Sequence, residues 1–570
     1  MSQKQKARHN PYEKYSHICL NAIATAFFIG ITAIYPLYIT RFGYIFITKQ
    51  KTEAFMAFTA IASVAVLFSL FFTTKKFQIK NYFAKNEPKR PISIPEWALI
   101  IFILLTLASA IFSPWQDFVW KGFTTNWLQG RWEGFWAFLC YALTFFIISR
   151  FYRPKRLHFL IFSAGSILVT LYGVIQFLGF DILVFSGFFL LSEDFEPITR
   201  IFRTTIGNIN IVSGYCSLVI VLFASLFAGE ESRWGLLYLF ASIMAFIMLM
   251  ISQGDSAKIG VLVGMVLLIP YWLSDRNRLG KILIALSGWS VAYSVYHGYV
   301  SVFKHRFEAA PAFAADLDYF LWVYTPPNLT VFISIAVVLL VAGLILILVI
   351  KKWPQRPLKI TGVIFLALSI AGGLLFVEVF GSRIENQPNN VIFQAREIMR
   401  GRMEDRFGSY RGWIWKNGMS VVLDNPLLGT GPDTFFFALG GQQISAVPTE
   451  ENPLPIIIEP AGRQLEYVEV NKVIVDKAHN TFLQIAVCMG IPALLAYLVF
   501  IGGMFSASIK KAFDRPILLA FGAAALSYLI QSFFQIDTPI DRPLIYVALG
   551  VMAGELWKEK IAAASMDNKM

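Results

Sequence analysis

The sequence predicts an all-α, polytopic integral membrane protein of about fourteen transmembrane helices with one long, partly helical extracytoplasmic loop. Three observations lead there. Hydrophobic residues make up 56% of the 570 and charged residues only 15%, with a mean hydropathy of +0.59. A soluble chain carries about 45–50% apolar and roughly 25% charged residues, so this one needs a hydrocarbon solvent for its surplus apolar surface. Long apolar stretches recur along the chain. Lys and Arg gather in every other gap between them.

The predicted spans are roughly 17–39, 53–73, 94–112, 133–149, 157–178, 208–227, 235–252, 259–273, 282–299, 329–350, 360–380, 482–508, 517–535 and 543–557. The first follows a polar, basic start without a small-residue cleavage site, so it reads as a span and not as a signal peptide. Placing the N-terminus in the cytoplasm puts Lys75, Lys76, Lys80, Lys85, Lys89 and Arg90 inside. The same holds for Arg150, Arg153, Lys155, Arg156, Arg276, Arg278, Lys281, Lys351, Lys352, Arg356, Lys359, Lys510, Lys511 and Arg515. About 28 Lys and Arg then lie inside, about 11 in short outer gaps and about 10 in the long outer loop. Both termini are therefore expected in the cytoplasm. This distribution also accounts for the net charge of +13, and no nucleic-acid partner is expected.

Residues 381–481 break the rhythm and form the long loop. Within 391–407, Arg396 and Arg400 stand one turn apart, as do Arg402 and Arg406, with Val391, Ile398, Met399 and Met403 as apolar positions. That spacing predicts an amphipathic helix. A second helix is expected after Ser409 and before Pro426, followed by a Gly429-Thr-Gly431-Pro432 turn, and 456–475 alternates weakly as a hairpin would. Cys19, Cys140, Cys216 and Cys488 all lie in apolar runs without a CxxC spacing, so neither a metal site nor a disulfide framework is expected.

Sparse ionisable residues on the outer side mark where chemistry is expected. His479 directly precedes the apolar run that begins at Phe482, where the positive end of a helix dipole keeps an imidazole neutral and able to accept a proton. It equally fits an interface histidine that helps Asn480 or Thr481 cap that helix. Arg411 falls in the first turn of the second loop helix, where a cation opposes the dipole. An anionic ligand such as a phosphate accounts for it, and so does a salt bridge to Glu404 or Asp405. Arg200, Arg203 and the Gly207-Asn208-Ile-Asn210 helix start form a weak anion-binding pattern, in which Asn208 is also a common cap residue. Arg131 and Glu133 stand at the outer end of another span and are placed to pair with each other. No P-loop, HExxH, GxSxG or Asp-rich nucleotide–metal motif is present on the cytoplasmic side, which favours a lipid-borne substrate over nucleotide-driven chemistry.

Taken together, Arg411-Gly-Trp-Ile-Trp415 running on through Asp424-Asn-Pro426-Leu-Leu-Gly429-Thr-Gly431-Pro-Asp-Thr-Phe435, and Ala478-His-Asn-Thr-Phe-Leu-Gln484 followed by Met489-Gly490, resemble the signature of the O-antigen ligase and polymerase family. Thr205-Ile-Gly207-Asn208-Ile-Asn210 is similar to that family's Gly-Asn-Pro-Asn segment, and Gln129-Gly-Arg131-Trp-Glu133-Gly134 also fits. The resemblance runs from about residue 95 to 557 and divides the chain. Residues 1–92 form an N-terminal region with two extra spans, 93–380 the transmembrane core, 381–481 the outer loop, and 482–570 the last spans with a short cytoplasmic tail.

The resemblance implies a metal-independent glycosyltransferase in the cytoplasmic membrane, needing no cofactor and inverting the anomeric centre. It moves a glycan from an undecaprenyl-diphosphate carrier to an acceptor hydroxyl of a lipid, a growing glycan or a protein. Membrane lipids are the remaining expected partners. By position, His479 takes the acceptor's proton and Arg411 holds the diphosphate, with Arg131, Asn208 and Asn480 as further substrate contacts. Where the family often has Ser-Arg-Gly-Ala, this chain has Ser252-Gln-Gly-Asp255-Ser-Ala-Lys258, so Lys258 or Arg203 is expected to supply the second cation. A transporter without catalysis is the rival class. It should show paired interrupted helices in two halves, and no such symmetry is visible.

Overall fold

The computed structural model describes residues 11–44, 46–73, 92–122, 131–188, 203–303, 328–353, 355–383, 391–405, 407–439, 443–445, 472–509, 511 and 515–567. A helix lies at every predicted span. Among the described residues eleven helices are long and apolar enough to cross a membrane, and Phe135–Phe151 and Pro516–Ser532 are shorter apolar helices. Arg542–Asp567 supplies the last one. In hydrocarbon every backbone N–H and C=O must be satisfied within the segment, which is why the apolar runs become helices and nothing else. Hydroxyls follow the same rule: Thr106 Oγ1 donates to the Phe102 carbonyl four residues back.

The Ile209–Gly229 helix is the hub. Nearly all of it is buried, whereas Gly362–Gly381 is buried only at its two ends. The hub's Ser213, Gly214, Ser217, Ala224 and Ser225 are small enough to let neighbours approach closely. Ser527 on Pro516–Ser532 donates to its Ser217 carbonyl at 3.1 Å, and Tyr215 donates to Ser166 on Arg156–Phe177 at 2.8 Å.

Ion pairs join helix ends that the alternation of spans puts on one side. Arg150 at the end of Phe135–Phe151 meets Glu96 at the start of Ile94–Phe112 at 2.9 Å. Arg156 meets Glu230 at 3.1 Å, and Arg515 meets Glu555 at 3.8 Å. All of these ends belong to the side on which the sequence places the cytoplasm.

Three local expectations change. The expected single span 482–508 is two helices, Thr481–Met489 and Ile491–Ile509, broken at Gly490. Only the second is a membrane span; the first is a short helix buried in protein. The amphipathic loop helix is Val391–Met399 and stops well before 407, because Gly401 turns the chain through a left-handed conformation with φ of 70°. Its Arg396 and Arg400 both reach Glu378 on the preceding span. The second loop helix is Phe407–Asp424 and begins before Ser409. Most of the expected hairpin at 456–475 lies outside the described residues; its end, Lys472–Ile474, pairs antiparallel with the upstream strand Gln443–Ser445, Gln443 opposite Ile474.

Candidate active site

The two motif segments of the outer loop are built against each other by backbone contacts. After the Phe407–Asp424 helix, Pro426 to Gly431 runs alongside the end of Thr481–Met489. The N–H of Thr430 donates to the Val487 carbonyl at 3.1 Å, that of Gly431 to Cys488 at 2.8 Å, and that of Ile491 to Pro426 at 2.8 Å. Gly490 must be glycine here. Its φ is 87°, and a Cβ would stand 2.3 Å from the Leu427 carbonyl oxygen. Ser109 and Ser113, at the outer end of Ile94–Phe112, donate to the Cys488 and Thr430 carbonyls at 2.8 and 2.6 Å. The loop is thereby fastened to the membrane domain at the base of the site.

His479 sits on this base. Trp415, from Arg411-Gly-Trp-Ile-Trp415, donates its indole N–H to the Ala478 carbonyl at 3.0 Å, and Gln484 Oε1 accepts from the Ala478 N–H at 2.8 Å. Asn480 caps the following helix, accepting from the N–H groups of Phe482 and Leu483 at 2.9 and 3.0 Å. His479 itself adopts a left-handed backbone with φ of 49°. Its Nδ1 is enclosed and has no hydrogen-bond partner among the described residues. Burial and then the Arg411 guanidinium push its pKa down to about 4, with Asp476 opposing. At neutral pH it is an uncharged imidazole, free to take a proton.

Arg411 lies close enough for its charge to act on His479. Its Nη1 donates to the Gly408 carbonyl at 2.8 Å, while Nε is enclosed without a partner among the described residues. Because the helix starts at Phe407, Arg411 stands one turn inside it and not in the first turn, so opposition to the dipole does not explain its presence. Nor does it pair with Glu404 or Asp405; the latter faces Lys416 at 3.8 Å. Burial lowers the proton affinity of Arg411, and Asp255 partly offsets this. Asp255 opens the Asp255–Leu267 helix and pairs with Lys258 at 2.8 Å. Lys258 is therefore linked to the Arg411 region, but through a carboxylate that already engages it.

Arg131 pairs with Asp476 at 2.7 Å and not with its neighbour Glu133. Glu133 instead meets Lys477 at 2.6 Å and Arg542 at 2.5 Å, and Lys477 also meets Asp433 at 2.9 Å. Two adjacent residues of the loop's end, Asp476 and Lys477, thus pair with Arg131 and Glu133 at the outer end of one span. Arg542 continues the network to Asp537 at 3.3 Å, and Thr481 donates to Asp537 at 2.5 Å. Tyr528 donates to Asp541 at 3.0 Å. Burial disfavours the Lys477 ammonium, but Asp433 and Glu133 outweigh it and hold the proton firmly. Burial and the adjoining Asp537 push the Asp541 carboxyl up to about 8.

Of the residues expected at the site, His479, Arg411 and Arg131 come together, with Lys258 linked through Asp255 and Asn480 serving as the cap. Asn208 is likewise a cap, its Oδ1 accepting from the Asn210 N–H at 2.9 Å. Arg203 packs over the Tyr44 ring at 5.8 Å, apart from this group. Lys477, Asp433, Asp537, Asp541 and Arg542 received no role from sequence reasoning. The available signal was their charge beside apolar spans, where an ionisable group must have a partner. Among the described residues no group of three or more His, Cys, Asp or Glu side chains is arranged to hold a metal ion.

Residues 330–498, from the Leu329–Leu348 span through the outer loop and into Ile491–Ile509, match the family model described as O-Antigen ligase. Over this stretch the chain is similar to the O-antigen ligase family. The stretch contains His479, Arg411 and the Gly429–Gly431 turn, and its match supports a multi-pass membrane ligase that transfers glycans. Arg131, Glu133 and Asp537 lie outside the matched stretch and bond to Asp476, Lys477 and Thr481 within it. No curated protein matches the chain.

Proposed function

We propose that this protein transfers a glycan from an undecaprenyl-diphosphate carrier to an acceptor hydroxyl at the outer face of the cytoplasmic membrane. The observation that carries the proposal is the nearness of an uncharged imidazole, His479, to a guanidinium, Arg411, with His479 Nδ1 and Arg411 Nε both enclosed without a hydrogen-bond partner among the described residues. The acceptor oxygen attacks the anomeric carbon on the face opposite the diphosphate. As the new C–O bond forms, the bond to the diphosphate oxygen breaks and its electron pair leaves with undecaprenyl diphosphate. His479 takes the acceptor's proton. Arg411 stabilises the charge that develops on the phosphate oxygens, in a site where burial strengthens that interaction. Arg131 and Lys258 engage carboxylates in this structure, and each offers a second cation if the donor's diphosphate competes for it.

The test uses purified full-length protein with a lipid-linked oligosaccharide, assayed for glycan transfer with EDTA present. Wild-type turnover should persist in EDTA, and His479→Ala should lower the rate by about 10²–10⁴, the range of a positioned general base. Unchanged turnover in His479→Ala would remove the base from the mechanism. Abolition of wild-type turnover by EDTA would show that a divalent ion carries part of the chemistry.

A further inference from the structure

The turn between the first two spans packs against the segment that carries Arg203. Arg203 is half-buried and has no carboxylate paired with it among the described residues, its guanidinium lying over the Tyr44 ring. Tyr44 comes from the turn that precedes the Ile47–Thr73 helix and is itself 8% exposed. Its hydroxyl donates to the Thr204 carbonyl at 2.9 Å and accepts from Gln176 Nε2 at 2.7 Å. Gln176 Oε1 in turn accepts from the Thr204 N–H at 2.9 Å. Thr204 is thus gripped at both backbone groups while held at a left-handed φ of 51°.

Residues on either side of this turn make two further contacts with this segment. Thr205 donates to the Pro36 carbonyl at 2.7 Å. Ile47 packs onto Gly207, where a Cβ would stand 2.7 Å from it. On the other side of the turn, Lys49 lies over the Trp132 ring at 5.5 Å, between Arg131 and Glu133 in sequence. Residues Pro36, Tyr44, Ile47 and Lys49, from the turn and the helix ends that flank it, therefore touch both segments that supply candidate phosphate-binding arginines.

We propose that Tyr44 is a positioning residue for Arg203, with the first two spans serving as a bracket that aims this arginine at the diphosphate of a lipid-linked donor. The inference rests on the diphosphate-donor reading above. Tyr44 supplies a ring beneath the guanidinium and a hydroxyl that fixes the adjoining backbone; Arg203 makes the contact with substrate.

The experiment measures binding of undecaprenyl diphosphate itself to purified full-length protein, with thermal stability recorded for each variant. Arg203→Ala should weaken binding about tenfold, and Tyr44→Leu about five- to tenfold, the scale of a partly desolvated cation–π contact. Tyr44→Phe keeps the ring and should fall between Tyr44→Leu and wild type. Tyr44→Leu combined with Arg203→Ala should bind no more weakly than Arg203→Ala alone, because the two act through one contact.

Wild-type affinity in folded Tyr44→Leu, losses that add in full in the double variant, or wild-type affinity in Arg203→Ala would each overturn the proposal. If Tyr44→Leu does not fold, Tyr44→Phe decides it: a lowered melting temperature with unchanged affinity of the folded fraction marks a purely structural tyrosine. The transfer assay separates this from the functional reading. Transfer that persists while binding ignores Tyr44 and Arg203 sinks this inference alone. Binding that follows the expected pattern without any transfer sinks the glycosyltransferase reading alone.

Discussion

His479 holds a left-handed backbone conformation, which costs a residue with a Cβ roughly 1–2 kcal/mol. The cap at Asn480, the Trp415 bond to the Ala478 carbonyl and the ion pairs of Asp476 and Lys477 together impose it. The Arg411 charge acts on this ring, and that has a consequence for pH. A histidine whose pKa is depressed from 6.5 to about 4 stays a competent base until the pH falls well below the usual histidine range. The acid limb of kcat/KM, which reports the free enzyme, should therefore lie near pH 4. Removing the Arg411 charge makes the imidazolium easier to form, so Arg411→Ala should move that limb upward, toward 6.5, as well as slowing transfer. Arg411→Lys keeps a cation and should leave the limb near the wild-type position. A limb that stays put in Arg411→Ala would show that the two side chains are not electrically coupled.

The short helix Thr481–Met489 is the element on which the site depends, and Lys477 just before it is its main anchor. Lys477→Met strips Glu133 and Asp433 of a buried ammonium and should cost on the order of 3–5 kcal/mol of stability. Lys477→Met combined with Asp433→Asn removes one uncompensated carboxylate and should recover part of the loss in detergent melting curves. Equal destabilisation in both variants would argue against the network as the anchor. The sequence shows why this element was misread. Phe482 to Ser508 is one apolar run, so its division at Gly490 carries no polar signal; the break appears only because the Pro426–Leu427 backbone occupies the space that a Cβ at 490 would need. Arg131 was likewise matched with its neighbour Glu133, because a partner 345 positions away is invisible to local reading. The spans themselves were legible, since a hydrocarbon solvent tolerates few alternatives to a helix. The pairing of His479 with Arg411 was legible only through the family's motifs.

Across the whole molecule charge is sorted to two ends of the helical bundle. One end holds Arg150–Glu96, Arg156–Glu230 and Arg515–Glu555, and the other holds His479, Arg411 and the Glu133–Lys477–Arg542 network. A reaction on a lipid-borne substrate can use only the leaflet to which its site opens, so orientation decides which pool of substrate the enzyme reaches. The excess of Lys and Arg in alternate gaps predicts that the first end faces the cytoplasm. Lys416 on the outer loop is 74% exposed, and Arg233 between two spans at the opposite end is also exposed. Cys19 is the exposed native cysteine, whereas Cys140, Cys216 and Cys488 are buried. In a Cys19→Ser background, Lys416→Cys should react with a membrane-impermeant maleimide on intact cells, and Arg233→Cys only after the membrane is opened. Labelling of Arg233→Cys in intact cells would invert the topology and place the chemistry on the cytoplasmic leaflet. Labelling of Lys416→Cys alone would place Arg411 and His479 on the outer side, as the proposed transfer requires.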